Sequence, residues 1–305
     1  MSQSAFKRFK EKIRPRWVRT LRQWAQSRVR LEKVRRHFGL ASIDGNPLAG
    51  IKKSDTLFIL GSGASINDLS EAEWATIRGA DTLGFNFWLV NDFVPSVYVF
   101  ECLHEGDPDC ACLVANLAAR RDDYAGVPMI LKDGERHRPE VLSQFLGAMP
   151  ESLRRQVRLT WDWEIPGHDF PDFVGQVRRL RSLGVFTRSF YPNIRKRASI
   201  FYLALLGLRA GYKNIVLCGV DLSNNAYFYD SRCDEFEAKG RSVPLHRQAV
   251  AAPVHKTADP RYGELTITRA MQTLDREILQ PAGVKLYVAF RSSGLHPDLP
   301  AYFER

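Results

Sequence analysis

The chain has no apolar run near the ~20 residues that cross a bilayer; its best, Phe201 to Leu208, stops at Arg209. No secretory leader is expected, because no continuous apolar stretch or small-residue cleavage site follows the basic N-terminal residues. Cysteine is scarce and odd in number. Cys102, Cys110, Cys112, Cys218 and Cys233 are irregularly spaced, which excludes a disulfide framework and points to free thiols in a reducing compartment. Cys110-Ala111-Cys112 has neither the spacing nor the second pair of a zinc site. No internal repeat and no low-complexity tract is present. What remains is close to a globular average, with 45% hydrophobic and 26% charged residues over 305 positions. That composition rules out a disordered or collagen-like chain and is enough for one large or two modest domains.

Charge is unevenly spread. Residues 1–40 carry thirteen Lys or Arg against Glu11 and Glu32, whereas the rest of the chain is nearly neutral. A basic pI often signals nucleic-acid binding, but here the charge belongs to one appendage without a nucleic-acid motif. Within it Phe6, Phe9, Ile13, Trp17, Leu21 and Trp24 recur every three or four residues, the apolar stripe of a helix. Pro15 is expected to kink or split that helix. Aromatics opposite a cationic face describe a helix lying on an anionic membrane surface; a basic helix packed on its own domain is the plainer reading. Residues 41–55, with Ser42, Asp44, Gly45, Asn46, Pro47 and Gly50, read as a linker.

From residue 56 the pattern alternates. Strands are expected at Thr56 to Leu60, Thr82 to Phe87, Ser96 to Phe100, Val127 to Leu131, Ile215 to Cys218 and Val284 to Phe290. Helices are expected at Asp68 to Arg78, Ser199 to Ala210 and Leu265 to Leu279. Residues 135–195 follow no clear period. The expected fold class is therefore α/β, a Rossmann-like, mostly parallel sheet with helices on both faces.

The first candidate site is the turn Gly61-Ser62-Gly63-Ala64-Ser65, since glycines between strand and helix expose amides that attract phosphate. It has the first two glycines of a dinucleotide fingerprint, but Ile66 stands in place of the third, and the next strand ends at Asn86-Phe87 without the acidic residue for a ribose. Asp107-Pro108-Asp109 is either an acidic metal-nucleotide triplet or a proline turn; no metal is assigned. The third candidate runs from Ser199 through Gly211 to a strand edge presenting Gly219 and Asp221. Tyr227, Tyr229 and Asp230 follow in a Ser/Asn-rich loop with lid composition, and then His255. Trp161 and Trp163 read as core aromatics, and Arg188, Arg195, Lys196 and Arg197 as a basic face able to attract an anion.

The order of these features resembles that of the bacterial CMP-sialic-acid-dependent sialyltransferases (glycosyltransferase family 42) and related nonulosonate and Kdo transferases. The likeness rests on Gly61 to Ser65, Phe85-Asn86-Phe87, Ser199 twelve residues before Gly211-Tyr212-Lys213, Gly219-Val220-Asp221, Tyr227 and His255. It covers roughly residues 56–300, and the segment 102–190 matches poorly. The resemblance implies a variant of the GT-A fold for residues 56–305 with a lid at about 222–254, and inverting, metal-independent transfer from a CMP-sugar. Gly61, Ser62, Gly63, Ala64, Ser65, Asn86, Gly219 and Asp221 would then hold the nucleotide. Ser199, at a helix N-terminus, would bind the donor carboxylate, a placement the helix dipole favours. Tyr227 would stabilise the departing phosphate, and His255 would be the general base.

Two positions depart from the family pattern. Ser223 stands where the family has a second lid tyrosine, a role left open to Tyr229, and Glu101 falls near an expected asparagine. The resemblance thus implies a donor of sialic acid, Kdo or a similar 2-keto acid sugar, and no cofactor. The acceptor would be a surface glycan or a lipid-linked glycan. The expected location is the cytoplasmic face of the inner membrane, held through residues 1–40, with no nucleic-acid partner and oligomerisation open. The alternatives are a Mg²⁺-dependent phosphotransferase or pyrophosphokinase and a basic non-enzymatic nucleic-acid-binding protein.

Overall fold

A computed structural model describes residues 16–44, 48, 50–103, 106–134, 139–167, 169–187, 193–244 and 254–304, with backbone alone for 16–23 and 133–134. Phe6, Phe9, Ile13, Pro15, Arg188, lid residues 245–253 and the side chains of Trp17 and Leu21 lie outside this description.

Eight strands form one parallel sheet: β1 (Thr56–Leu60), β2 (Asp81–Phe85), β3 (Val97–Glu101), β4 (Met129–Gly134), β5 (Val157–Glu164), β6 (Asn193–Arg195), β7 (Asn214–Cys218) and β8 (Lys285–Val288). Their spatial order is β6-β5-β4-β3-β2-β1-β7-β8. The chain thus builds outward from β1 to one edge, then returns to start β7 on the other side of β1. Leu57, Phe58, Ile59 and Leu60 of β1 are all fully buried, so both faces of the sheet centre are covered, as a parallel sheet requires. The α/β reading and its parallel sheet hold.

Helix α1 (Arg16–His37) precedes the sheet. Its Leu31 and Val34 are buried, and Trp24 meets Trp163 of β5 edge to face at 5.3 Å. The described part of the basic helix therefore spends its apolar face on its own domain, the plainer of the two readings above. The segment 41–55 is not a free linker either. Ala41 bridges Arg158, Ile43 and Leu48 are buried, and the Asp81 carboxylate accepts the Lys53 and Ser54 amides at 2.8 and 3.0 Å.

Several boundaries move for local reasons. The expected helix 68–78 starts later, as α2 (Glu71–Arg78), after a 3-10 turn over Ala64–Asp68, because Ser70 and Glu73 form a capping box that starts the helix there. Helix α3 (Pro108–Ala119) is capped by Asp107. The unreadable stretch 135–195 holds α4 (Pro139–Ala148), β5, α5 (Phe170–Ser182) and β6. In β5 the polar Thr160 and Asp162 are buried as well as Leu159, Trp161 and Trp163, so polar and apolar positions do not separate into an outside and an inside.

Helix α6 (Ser199–Arg209) returns from the β6 edge to β7, with every residue from Ile200 to Gly207 buried. Gly207 permits close approach: a Cβ there would lie 2.8 Å from Ile215 and 3.2 Å from Leu57. This contact seats α6 over the sheet centre and sets its N-terminal Ser199 at the carboxyl edge. Helix α7 (Cys233–Ala238) follows in the lid, and α8 (Ile267–Leu274) continues as a π turn, Asp275–Leu279, before β8. No described helix is long and apolar enough to cross a membrane.

Candidate functional site

A cleft of about 430 Å³ opens at the carboxyl edge of the sheet. It lies where β1 and β7, the strands at which the chain reverses direction, run side by side, the position where ligands collect in open α/β sheets. Its lining includes Ser62, Gly63, Asn86, Ser199, Gly219, Asp221, Tyr227 and His255. Eight of the eleven residues assigned from sequence thus converge from distant parts of the chain. Gly61, Ala64 and Ser65 stand behind the wall.

The glycine turn does a different job from the one expected. The Gly61 amide donates to the Cys218 carbonyl at 2.8 Å, Gly63 to Gly219 at 2.9 Å, and Ala64 to Ala226 at 3.1 Å. The Ser65 amide donates to Asp221 Oδ2 at 3.0 Å, and its hydroxyl donates to Asp221 Oδ1. Four of the five amides are therefore already satisfied, and among the described residues no group accepts from the Ser62 amide. The amides of Gly61, Gly63, Ala64 and Ser65, read from sequence as a phosphate cradle, are engaged within the protein, and these residues weld β1 to β7. Asp221, which also lines the cleft, holds this weld through both carboxylate oxygens. Close approach explains the glycines. A Cβ on Gly61 would lie 2.6 Å from the Gly219 carbonyl oxygen, and Gly219, at φ 62°, would meet Gly61 O at 2.7 Å.

The same stitching reaches the lid. Gly63 and Tyr227 form an antiparallel bridge, Phe228 N donates to Ser62 O at 2.9 Å, and Asn67 Nδ2 donates to Phe228 O at 2.9 Å. Farther on, Ser242 exchanges hydrogen bonds with Asn116 of α3, and Arg241 reaches Asp92. The expected mobile lid is thus tied to the body through residue 244. Tyr227 stacks on the buried Tyr229 with ring centroids 5.3 Å apart. Burial and the nearby Asp230 and Asp109 raise the Tyr227 phenol above its ordinary value, so it stays a neutral O–H donor. Ser223 is directed to the Ser292 carbonyl at 3.4 Å.

His255 is held by its amide, which donates to the Leu222 carbonyl at 3.0 Å, and by its Nδ1, 2.8 Å from Thr257 Oγ1. The Thr257 amide nitrogen also lies 3.3 Å from Nδ1; Nε2 is the proton acceptor in the tautomer whose Nδ1–H donates to Thr257 Oγ1. Burial, and then the neighbouring Lys256, lower its pKa from the usual 6.5, so the imidazole is neutral at pH 7 and able to accept a proton.

Three residues here were given no site role from sequence, although Arg197 was read as part of a basic face: Glu101 and Arg197 line the cleft, and Lys132 stands behind it. Glu101, at the end of β3, pairs with Lys132 of β4. Ser199 Oγ donates to Glu101 Oε1 at 2.6 Å and accepts from Lys132 Nζ at 3.0 Å. Burial pushes the Glu101 carboxyl up, but Lys132 and Ser199 outweigh it and hold the group at about 2. A buried lysine in a strand demands an anionic partner, the signal that would have found this pair had β4 been extended to Lys132. The third residue is Arg197. The non-glycine residues with left-handed backbone among those described are Asn86 (φ 49°), Arg197 (φ 65°) and Leu222 (φ 57°), and all three line this cleft. Such conformations cost on the order of 1–3 kcal/mol and cluster at functional sites. Asp109 also lines the cleft, but among the described residues no three His, Cys, Asp or Glu side chains group as a metal would need.

No family model and no curated protein matches the chain. Among solved structures it is similar to the monofunctional alpha-2,3-sialyltransferase Cst-I from Campylobacter jejuni, at 15% identity over 83% of this chain and 82% of that one, with a TM-score of 0.44. It is also similar to the sialyltransferase CstII from Campylobacter jejuni in complex with the substrate analogue CMP-3FNeuAc, at 13% identity over 81% and 84% of the two chains, with a TM-score of 0.40.

Proposed function

We propose that the protein is an inverting glycosyltransferase that moves a 2-keto acid sugar from its CMP donor to a hydroxyl of a glycan or lipid-linked acceptor. The observation carrying this reading is convergence: Asn86, Ser199, Tyr227 and His255 meet in one cleft at the sheet's reversal point, together with every left-handed non-glycine residue described. In the proposed reaction the acceptor oxygen attacks the anomeric carbon while His255 Nε2 takes the hydroxyl proton. The bond from that carbon to the phosphate oxygen breaks, and its electron pair leaves with CMP. The neutral Tyr227 hydroxyl donates to the phosphate as charge develops. A single phosphate leaving group can be met by hydroxyl and amide donors, which is the basis for proposing metal independence. The basic segment 1–40 would hold the enzyme at the cytoplasmic face of the inner membrane, where lipid-linked acceptors are assembled.

Calorimetric titration tests the donor class. CMP is expected to bind in EDTA, and more tightly than UDP or ATP. Silence with CMP, alongside ATP or UDP binding that needs Mg²⁺, would sink the proposal in favour of a phosphotransferase.

A further inference from the structure

The turn that follows β2 brings Asn86 to the cleft and is held at several points. Arg120, buried just after α3, donates from Nη1 to the Leu89 carbonyl at 3.0 Å and from Nη2 to the Asp92 carbonyl at 3.1 Å. Trp88, fully buried, donates from Nε1 to the Phe93 carbonyl at 2.9 Å. These bonds fix the far part of the turn. The near part rests on Tyr98 of β3, whose hydroxyl donates to the carbonyl of Asn86 itself. Tyr98 is fully buried, stacked on Phe100 at 5.2 Å and edge-on to Tyr124 at 5.5 Å. Burial pushes its phenol well above the ordinary value, so the hydroxyl keeps its proton.

Asn86 needs such a hold. Its φ of 49° is left-handed, a conformation that even asparagine adopts at a cost. Released, the residue would gain by taking the right-handed geometry of the 3-10 turn Asn86–Val90 that it opens. Its side chain would then leave the cleft wall, where it now stands. Among the described residues no hydrogen bond restrains the Asn86 side-chain amide, so the backbone sets its aim.

We infer that Tyr98 is a positioning residue for nucleotide binding: its hydroxyl keeps Asn86 left-handed and the Asn86 amide turned to the ligand, an inference that rests on the CMP-sugar reading above. Tyr98 stands behind the cleft wall rather than in it, so its effect on affinity passes through Asn86. Without the hydroxyl, only a fraction of molecules holds the competent turn before binding, and apparent affinity falls by that fraction.

Calorimetric titration of CMP into the full chain tests this. Tyr98→Phe keeps the ring and its stacking, and it is expected to weaken CMP about three- to ten-fold, the worth of one hydrogen bond. In an Asn86→Ala background there is no amide to aim, so adding Tyr98→Phe should change CMP affinity by less than about two-fold. A merely structural role would lower affinity equally in both backgrounds, and that outcome would overturn the inference. Tyr124→Phe is the control. Its hydroxyl is buried beside Tyr98 without a hydrogen-bond partner among the described residues, so CMP affinity should stay as in wild type. A matching loss in Tyr124→Phe, or unchanged affinity in Tyr98→Phe, would overturn the inference alone. So would a Tyr98→Phe protein too unstable to titrate, by showing that the hydroxyl holds the fold rather than the asparagine. If wild type did not bind CMP, the donor reading itself would fail and the inference with it.

Discussion

His255 and Gly63 illustrate how single residues set the site. A neutral imidazole held through Nδ1 is ready to take a proton, and burial lowers its pKa below 6.5. Because the charged form is disfavoured, the base is present through neutral pH and is lost only as pH falls through the depressed value. The acid limb of the transfer rate against pH is accordingly expected below 6.5. His255→Ala should reduce transfer by about 10²–10⁴-fold while CMP affinity is preserved. An acid limb above 6.5, or an active variant, would remove His255 from the mechanism. Gly63 is constrained by space: a Cβ would stand 2.6 Å from Asp221 Oδ2 and 2.7 Å from the Gly219 carbonyl. Both neighbours are tied down, so Gly63→Ala is expected to cost about 1–3 kcal/mol as an overpacked site, read as a lowered melting temperature. If instead Gly63 served only to expose an amide to ligand, stability would not change. The sequence marked these glycines as a turn with exposed amides, and not as the place where another backbone comes close. The partner is the β7 loop, more than 150 residues away.

Among the elements, those with one clean signal were legible. β1, β7 and α6 are continuous apolar runs with Gly or Arg stops, and they appear within a residue or two of expectation. β5 was not legible, because its buried Asp162 answers Arg195 and Lys132 on neighbouring strands, and such pairing has no local signature. Helix α1 was legible as a basic amphipathic helix, yet what its apolar face touches was not, since Trp24 finds Trp163 only in the folded sheet. From Trp24 onward that face is spent internally, so any membrane docking must draw on the segment before it, with Phe6, Phe9 and Ile13, and on the outward cations. Removing residues 1–15 while keeping the docked helix is expected to abolish sedimentation with vesicles containing phosphatidylserine. Full-length protein should sediment with them at low salt and be released by 0.5 M salt, as an electrostatic attachment requires. Equal sedimentation of both forms, or binding to neutral phosphatidylcholine vesicles, would refute that attachment.

At the scale of the whole molecule, the cleft is a product of strand order. β1 lies between β2 and β7, so the turn after β1 and the loop after β7 must share one edge, and each donates hydrogen bonds that close the other. This order also governs how the chain is made. The strand that completes the centre pairs Asn214 with Thr56, 158 residues earlier. At roughly 5–20 residues per second of synthesis, β1 emerges about 10–30 s before its second partner exists, with one of its edges bare. An eight-stranded sheet closed by so distant a pairing belongs among slow folders. Its nascent N-terminal half should depend on chaperones, and its yield on slow translation and low growth temperature, well before any catalytic property comes into play.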